Sequence, residues 1–483
     1  MNSNIKINSI YVTIFQVFNL LIPLIIAPYA ARVLGPIGLG EIAYAKAIYI
    51  YFQLLVGLGS GIYGQRLIAR SKDDYKSISI AFLELWFLRV LLAITGILIF
   101  SIMIISSEFI ITIKILLFVQ IIDLSINLFD ISWFYYGIQN FKKVIITQAA
   151  FKLITVLTIF LFVNNYDDGY KYLLCFSVPA LLSYIFMWRN INSFISFKYF
   201  LKIKPFKHFK KIIFLFIPFI GVVLFSHVDR LLIGYITGDM AEVGIYEMAF
   251  KFIAIIVGIA TAISAVLLSS IAEAHSRGDI EHVKNILQKA FDILIVIGLW
   301  LSISLYFTAP YMVPWFLGEG FINSINVLQV LSIIAVIKTL TILIGSGFLL
   351  AIGQEKKYAI AIWSSLALNV FLNIILIDQH KSIGAAYASL IAEALMLALL
   401  IYFSRDFFLK KVIKSMRSHL ILSLSSIVII SKLFSLYVNN LFLAALVLIA
   451  VFIMYLVILT LVFKKAGTLL YFLNLIKSKS AND

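Results

Sequence analysis

The sequence predicts an all-α protein that crosses a membrane about fourteen times. Of its 483 residues, 63% are hydrophobic and 13% are charged, whereas soluble proteins contain about 45–50% apolar and about 25% charged residues. The apolar residues form long continuous runs without the alternation of a half-buried strand, which indicates membrane helices. This composition excludes a soluble enzyme, a disordered chain and a fibrous repeat.

Fourteen apolar runs reach the length of about 20 residues that a helix needs to cross the hydrocarbon core. They extend over residues 10–30, 41–62, 79–105, 110–137, 143–163, 171–189, 212–237, 244–271, 286–308, 323–351, 357–378, 383–403, 418–438 and 441–463. The longest connection between them, from Arg189 to Lys211, is basic and lies near the middle of the chain.

The positive residues predict the orientation of these spans. The chain has 39 Lys and Arg and a formal net charge of +16. With the N-terminus in the cytoplasm, 28 of them fall in cytoplasmic segments, and the outer loops hold three, which are Arg32, Lys171 and Lys381. Cytoplasmic loops of membrane proteins are enriched in Lys and Arg. The distribution therefore predicts an even number of spans with both termini in the cytoplasm.

A weak internal repeat predicts two lobes. The stretch from Gly40 to Lys46 is similar to the stretch from Gly244 to Lys251, and both precede long apolar runs. Many secondary transporters consist of two such lobes with a binding site at their interface. We expect an N-lobe of six helices (1–190), a cytoplasmic basic linker (191–211), a C-lobe of six helices (212–403), and two further helices with a basic tail (404–483). The linker also suits a juxtamembrane segment attracted to anionic lipid.

Polar residues recur on single faces of several spans. Gln120, Asp123, Asn127 and Asp130 are spaced by three and four residues, so they share a helix face that cannot point at lipid. Similar faces contain Lys46, Tyr49 and Gln53 in the second run, Glu247 and Lys251 in the eighth, Ser365, Asn369 and Asn373 in the eleventh, and Ser389 and Glu393 in the twelfth. Five aromatic residues suit either sugar stacking or an interfacial belt: Tyr44, Tyr49, Trp133, Tyr135 and Tyr136.

The charged residues inside the spans allow two interpretations. The cations are Lys46, Arg89, Lys152, Arg230, Lys251 and Lys338, and the acids are Glu84, Asp123, Asp130, Asp229, Glu247, Asp292 and Glu393. They either neutralise one another as buried pairs that hold helices together, or they line a water-filled cavity whose cations suit an anionic substrate such as a phosphate. The sequence contains no nucleotide-binding or zinc motif and one cysteine, Cys175, so we expect no cofactor and no metal.

Five short motifs resemble, in order, those of the bacterial polysaccharide flippases of the O-antigen (Wzx) type, which belong to the multidrug/oligosaccharidyl-lipid/polysaccharide (MOP) exporter superfamily. They lie at residues 28–40 (PYAARVLGPIGLG), 63–69 (YGQRLIA), 130–137 (DISWFYYG), 229–234 (DRLLIG) and 353–356 (GQEK). The likeness covers about residues 10–400, so the last two runs match nothing in the family.

The resemblance implies a MATE/MOP-like fold that works by alternating access. The implied substrate is an undecaprenyl-diphosphate-linked oligosaccharide, an O-antigen or capsule repeat unit, moved across the bacterial cytoplasmic membrane. The implied partners are this substrate, membrane lipids, H⁺ or Na⁺ as a coupling ion, and other membrane proteins of glycan assembly, with no nucleic acid. Because they lie in or next to the matching motifs, Arg32, Asp229 and Arg230 are the residues that the resemblance implies to be functional.

Together with the polar faces, the resemblance predicts two sets of site residues. The cations expected to bind the diphosphate or an anionic glycan are Arg32, Lys46, Arg89, Lys152, Arg230, Lys251 and Lys338. The acids expected to act in ion coupling or gating are Asp123, Asp130, Asp229, Glu247 and Glu393. The main alternative is a cation-coupled multidrug exporter of the same superfamily. A membrane enzyme is disfavoured because every outer loop is short and carries no cluster of Asp or His.

Overall fold

The computed structural model describes residues 2–57, 59–71, 74–438 and 440–461, and all regular secondary structure in these ranges is helical. The all-α prediction is confirmed for this part of the chain. The predicted basic tail at 462–483 and Lys72 lie outside the described residues. The chain divides into two compact units, residues 1–244 and 245–483, and the predicted lobes stay a prediction.

The first unit contains eight helices and the start of a ninth in its described residues. They are α1 (Asn2–Gly57), α2 (Ser60–Ser71), α3 (Tyr75–Ser106), α4 (Ile111–Phe129), α5 (Ser132–Gly137), α6 (Phe141–Phe162), α7 (Gly169–Met187) and α8 (Phe209–Thr237). Three short 3₁₀ turns, Ile191–Ser193, Phe197–Lys202 and Pro205–His208, form the connection between α7 and α8. We call residues 191–211 the connecting segment.

The second unit contains most of α9 (Met240–Ser276) and the helices that follow it. They are α10 (Ile280–Leu317), α11 (Ser324–Ile342), which continues as a π-helical turn (Leu343–Leu349), α12 (Glu355–Phe403), α13 (Arg405–Tyr437) and α14 (Leu441–Leu461). Polar residues cap the start of several of the long helices. The side chains of Asp74, Asn140 and Asp279 accept backbone N–H groups at the start of α3, α6 and α10, as is typical of N-caps.

In the described residues, eleven helices are long and apolar enough to cross a membrane, and a shorter apolar helix covers Ile421–Tyr437. Two of the eleven, Leu21–Ser71 and Glu355–Phe403, each include two of the predicted runs. Each of these two also contains one residue with non-helical backbone angles, Gly35 and Lys381 respectively. With these two breaks and the shorter helix, the structure contains the same fourteen segments that the sequence predicts. That all fourteen cross the bilayer, and that both termini are cytoplasmic, stays a prediction.

Gly35 marks a turn between the first two runs. Its φ of 65° lies in the left-handed region that favours glycine. Residues on both sides of it contact the same short loop between α6 and α7: the Tyr29 hydroxyl donates to Val163 O at 2.8 Å, and Ile42 packs against Gly169. A straight helix would separate residues 29 and 42 by roughly 20 Å, so the chain turns here.

Lys381 separates two antiparallel halves of α12. Asn369 Nδ2 donates to Ser389 Oγ at 3.2 Å, although these residues would lie roughly 30 Å apart in one straight helix. The halves approach so closely that a Cβ on Gly384 would lie 2.1 Å from Leu376 O. The two polar faces predicted for the eleventh and twelfth runs therefore contact each other directly.

The two glycines that the internal repeat pairs meet in the first unit. A Cβ on Gly40 would lie 1.6 Å from Met240 O, and a Cβ on Gly244 would lie 2.0 Å from Pro36 O. Each glycine thus approaches the carbonyl four residues before the other glycine. This reciprocal backbone contact brings the two similar stretches together, and the repeat itself stays a prediction.

Candidate functional site

The predicted polar faces of the second and fourth runs contact each other inside the first unit. Asn127 Nδ2 of α4 donates to Gln53 Oε1 of α1 at 3.0 Å, and the Tyr49 hydroxyl donates to the same oxygen at 3.1 Å. Amide and hydroxyl groups satisfy one another in this way when they are removed from water. The contact fixes α4 against the second half of α1 and places Lys46 and Asp123 on the neighbouring turns.

Lys46 differs from most other predicted cations because its side chain is exposed although it lies in an apolar run. Asp123 is half-buried and close enough to interact electrostatically with Lys46 and with the Tyr49 hydroxyl. An exposed ammonium group near a carboxylate can bind an anion while the acid limits how tightly it is held.

Arg89 and Asp130 form a buried ion pair between α3 and the end of α4. Arg89 Nη2 lies 2.9 Å from Asp130 Oδ2, and Nη1 donates to Ser60 Oγ at 3.0 Å. The other carboxylate oxygen of Asp130 accepts the backbone N–H and the hydroxyl of Ser132 at 2.9 and 2.6 Å. The structure therefore places both predicted site residues in a network that joins α2, α3, the end of α4 and α5.

The remaining predicted cations of the first unit lie apart from this network. Lys152 of α6 donates to Asn19 Oδ1 of α1. Arg230 is buried in α8 and donates to Ser226 O, one turn earlier in the same helix. Its neighbour Asp229 is also buried, and its charge acts on Tyr51 of α1. Arg32 is exposed and lies three residues before the break at Gly35.

Two aromatic candidates of the 130–137 motif belong to the core of the first unit. Trp133 and Tyr135 are completely buried, Trp133 Nε1 donates to Asp130 O at 2.9 Å, and the Tyr135 hydroxyl donates to Met187 O at 2.8 Å. Sugars cannot stack on rings that the protein covers, so these two residues serve packing.

The second unit contains a separate polar cluster on α11 and α12. Lys338 Nζ contacts Glu393 Oε1, and only 2% of the Glu393 side chain is exposed. Asn373 Nδ2 donates to Asn369 Oδ1 at 3.0 Å, and Asn369 in turn reaches Ser389. Glu247 and Lys251 are one turn apart on α9 and are both half-buried. In the described residues of both units, no three His, Cys, Asp or Glu side chains are grouped so that they could hold a metal ion.

Glu84 has more ionic and polar partners than the composition of its run suggests. Its carboxylate, 3% exposed, accepts from Lys207 Nζ at 2.6 Å, from His208 Nε2 at 3.0 Å and from the backbone N–H of Lys204 at 2.9 Å. The other ring nitrogen of His208 lies 2.7 Å from the Tyr63 hydroxyl. Sequence reasoning counted Glu84 among the intramembrane acids but assigned it no role, because its partners follow it by more than a hundred residues.

Long apolar helices with polar faces that meet inside each unit define a multi-pass membrane protein of the transporter type. Solved structures agree with this class. The chain is similar to "Lipid II flippase MurJ, inward closed conformation", with a TM-score of 0.75, 17% identity and coverage of 94% of this chain and 99% of that one. It is also similar to an inward-facing MATE family multidrug resistance transporter of the MOP superfamily, with a TM-score of 0.60, 17% identity and coverage of 81% and 94%. These likenesses show the fold.

The sequence comparisons give the family. A family model described as "Polysaccharide biosynthesis protein" matches residues 5–275, which is more than half of the chain, and the protein belongs to that family. A curated protein of Escherichia coli (strain K12), named as a candidate O-antigen transporter, is 24% identical over 412 residues, which cover 84% of this chain and 99% of the relative. The suspected family and the predicted multi-pass character are confirmed, and the apolar helices and the relatives agree with a bacterial inner membrane.

Proposed function

We propose that this protein is a flippase that moves a lipid-linked oligosaccharide across the bacterial cytoplasmic membrane. The family match, the name of the Escherichia coli relative and the fold shared with a lipid II flippase all support this activity. These relatives are transporters and flippases, which agrees with the expectation that the chain is not an enzyme. We further propose that the carrier lipid is undecaprenyl diphosphate and that the glycan is an O-antigen or capsule repeat unit.

The physical problem for such a transporter is the charge of the diphosphate. Moving an isolated charged group into hydrocarbon costs far more free energy than a protein can tolerate, whereas the lipid tails can stay in the bilayer. Lysine and arginine side chains can replace the lost hydration of phosphate oxygens. The observation that carries the proposal is Lys46, an exposed cation in an apolar run, which interacts electrostatically with the half-buried acid Asp123.

The predicted cations divide into three groups under this proposal. Lys46 and Arg32, which are exposed, and Lys251, which is half-buried, are the proposed headgroup ligands. Arg89 and Lys338 form ion pairs with acids, so we assign them to helix packing. Lys152 donates to the neutral side-chain oxygen of Asn19, and Arg230 donates to the backbone oxygen of Ser226; both stay proposed ligands of the headgroup.

Asp123 is the proposed coupling residue. When H⁺ or Na⁺ neutralises its carboxylate, Lys46 loses a competing negative charge and binds the diphosphate more strongly. An ion shifts the balance between inward- and outward-facing states only by the difference in its affinity for them, so Asp123 must differ in exposure between the two. Asp229 and Glu247 are secondary candidates for the same role. Asp130 and Glu393 form ion pairs with Arg89 and Lys338.

The test is to replace Lys46 by alanine in cells that depend on this protein for surface glycan. We expect lipid-linked glycan to accumulate on the cytoplasmic side and export to fall by about tenfold or more, which corresponds to about 1.4 kcal/mol of lost interaction. Lys46→Arg keeps the charge and should retain most of the export. Lys432→Ala, which removes another exposed lysine from a membrane helix, is the matched control and should export normally.

Normal export by Lys46→Ala would contradict the assignment of Lys46. The multidrug-exporter alternative makes a different prediction, because its substrates are cations and removal of Lys46 should not impair their export. Loss of drug resistance with intact surface glycan in a deletion strain would favour that alternative.

A further inference from the structure

The connecting segment exposes an unusual set of apolar side chains. Leu201 is 96% exposed, Phe206 is 69% exposed, and Phe197 and Phe200 are 40% and 38% exposed. These four lie within ten residues of one another. Exposed apolar residues that occur singly are normal, but a contiguous set marks a surface that contacts a partner or a lipid phase.

The exposure does not arise from a loose chain, because the segment is attached to α3 at several points. Ile191 and Ile195 are buried in the core of the first unit. The backbone N–H of Ser196 donates to Ser79 Oγ at 3.0 Å. Further along, the buried Glu84 carboxylate binds the stretch 204–207 and His208. The segment is therefore held in one position with Leu201 and Phe206 turned outward, while Phe197 and Phe200 also contact rings of α3.

The attachment points on α3 place the segment near the level of lipid headgroups. The 32 residues of α3 are about 48 Å long at 1.5 Å per residue, which exceeds the hydrocarbon thickness of about 30 Å. Ser79 and Glu84 lie roughly 6 and 14 Å from the start of α3, in the part of the helix that the hydrocarbon core need not contain. Trp86 and Trp188, residues typical of the membrane interface, form an edge-to-face pair beside the segment.

The charge of this surface indicates which kind of partner it binds. Residues 189–211 contain seven Lys and Arg and no Asp or Glu. Lys207 is engaged with Glu84, whereas the side chains of Lys198, Lys202 and Lys210 are exposed on the same segment as the apolar residues. A basic surface with exposed aromatic and aliphatic side chains suits an anionic membrane interface, where the cations contact headgroups and the apolar side chains enter the acyl boundary.

We propose that the connecting segment is an interfacial anchor that binds the headgroups of anionic phospholipids, with Leu201 and Phe206 inserted at the acyl boundary and Lys198, Lys202 and Lys210 on the lipid phosphates. The anchor fixes the depth of this end of α3. It does not depend on the proposed flippase activity, because the ligand is bulk phospholipid and not the transported molecule.

The experiment measures which lipid surrounds Leu201 in the full-length protein. Leu201→Cys is made in a Cys175→Ala background, labelled with a small fluorophore, and placed in nanodiscs that contain brominated phosphatidylglycerol or brominated phosphatidylcholine as quencher. We expect strong quenching by both lipids and a preference of about fivefold or more for phosphatidylglycerol, since one lysine near an anionic surface contributes about that factor. A label at Glu281→Cys, an exposed site near the start of α10 with both Asp279 and Lys284 close in sequence, is the control and should show weak quenching and no preference.

The charge requirement is tested with Lys198→Gln, Lys202→Gln and Lys210→Gln combined. These changes leave Glu84, Lys207 and His208 intact, so the segment should stay attached, which an unchanged melting temperature would verify. We expect the preference for phosphatidylglycerol to fall towards one.

Two results would overturn the proposal. The first is a label at residue 201 that is no better quenched than the label at 281, because the segment would then face water or a protein partner. The second is quenching by phosphatidylglycerol that purified lipid-linked oligosaccharide displaces at a small molar excess, because the surface would then bind the transported headgroup in preference to the phospholipid.

Discussion

The two compact units hold their intramembrane charges in different ways. In the first unit, Lys46 is exposed and Asp123 is half-buried, and the ion pair of Arg89 leaves 20% of the Asp130 side chain exposed. In the second unit, the acid of the Lys338–Glu393 pair is 2% exposed. Exposed charge is available to a ligand, whereas a pair whose acid is buried serves mainly to fix one arrangement of its helices. The Lys338–Glu393 pair therefore serves to hold the helices of the second unit, whereas Lys46 is exposed to a ligand as the proposed function requires.

The largest loss of stability is expected from breaking the Lys338–Glu393 pair of the second unit. Lys338→Met leaves the Glu393 carboxylate without its cation in a dry environment, which should lower the free energy of unfolding by about 3–5 kcal/mol. The measurement is the thermal unfolding of the purified protein in detergent. The double variant Lys338→Met/Glu393→Met removes both charges and should recover most of the loss. If the double variant is as unstable as the single one, the pair contributes by packing and not by charge.

A smaller effect is expected from the corresponding change in the first unit. Arg89→Met removes the cation from Asp130, but this carboxylate keeps its hydrogen bonds from Ser132 and is partly exposed to solvent. The cost should therefore be about 1–3 kcal/mol, less than for Lys338→Met under the same conditions. Equal or greater destabilisation by Arg89→Met would show that the two units do not differ in the way described above.

The smallest effect is expected on the attachment of the connecting segment to Glu84. This buried carboxylate lies next to groups that water can reach. Burial lowers the pKa of His208 from its ordinary value of 6.5, and Lys207 and Lys211 act in the same direction, while Glu84 opposes them. The native state therefore binds fewer protons than the detached state, so the attachment of the connecting segment is complete above pH 6.5 and weakens as the pH falls below it.

Hydrogen exchange at the amides of Ser196 and Lys204 tests this pH dependence. After correction for the intrinsic rate, we expect faster exchange at pH 5.5 than at pH 7.5. The variant His208→Gln cannot titrate and should show the same protection at both values. Protection that increases on acidification of the unchanged protein would mean that the ion pair with Glu84 dominates over burial.

The helices and the helix faces that carry polar residues could be predicted from the sequence. The runs 10–30 and 41–62 are visible in the sequence as separate apolar stretches, and so are the runs 357–378 and 383–403. The structure joins each pair in one helical element that is broken at Gly35 or at Lys381. The face of Gln120, Asp123, Asn127 and Asp130 follows from its spacing alone, because residues three and four apart share one side of a helix.

The partners of these faces could not be predicted in the same way. The sequence left open whether Arg89 and Asp130 bind each other or a ligand, and it gave no means to pair Lys338 with Glu393. Pairing between helices depends on their order and rotation around each other, which local spacing does not contain. The contact of Glu84 with the connecting segment was missed for the same reason.

The sequence by itself therefore determined that the protein is a helical membrane protein and which residues are too polar to face lipid. Both properties depend on the cost of placing each residue in hydrocarbon, a cost that each run carries independently. Only the tertiary structure decided that Arg89 and Lys338 are held in ion pairs while Lys46 stays exposed, because the exposure of a charge depends on the neighbours that packing brings to it.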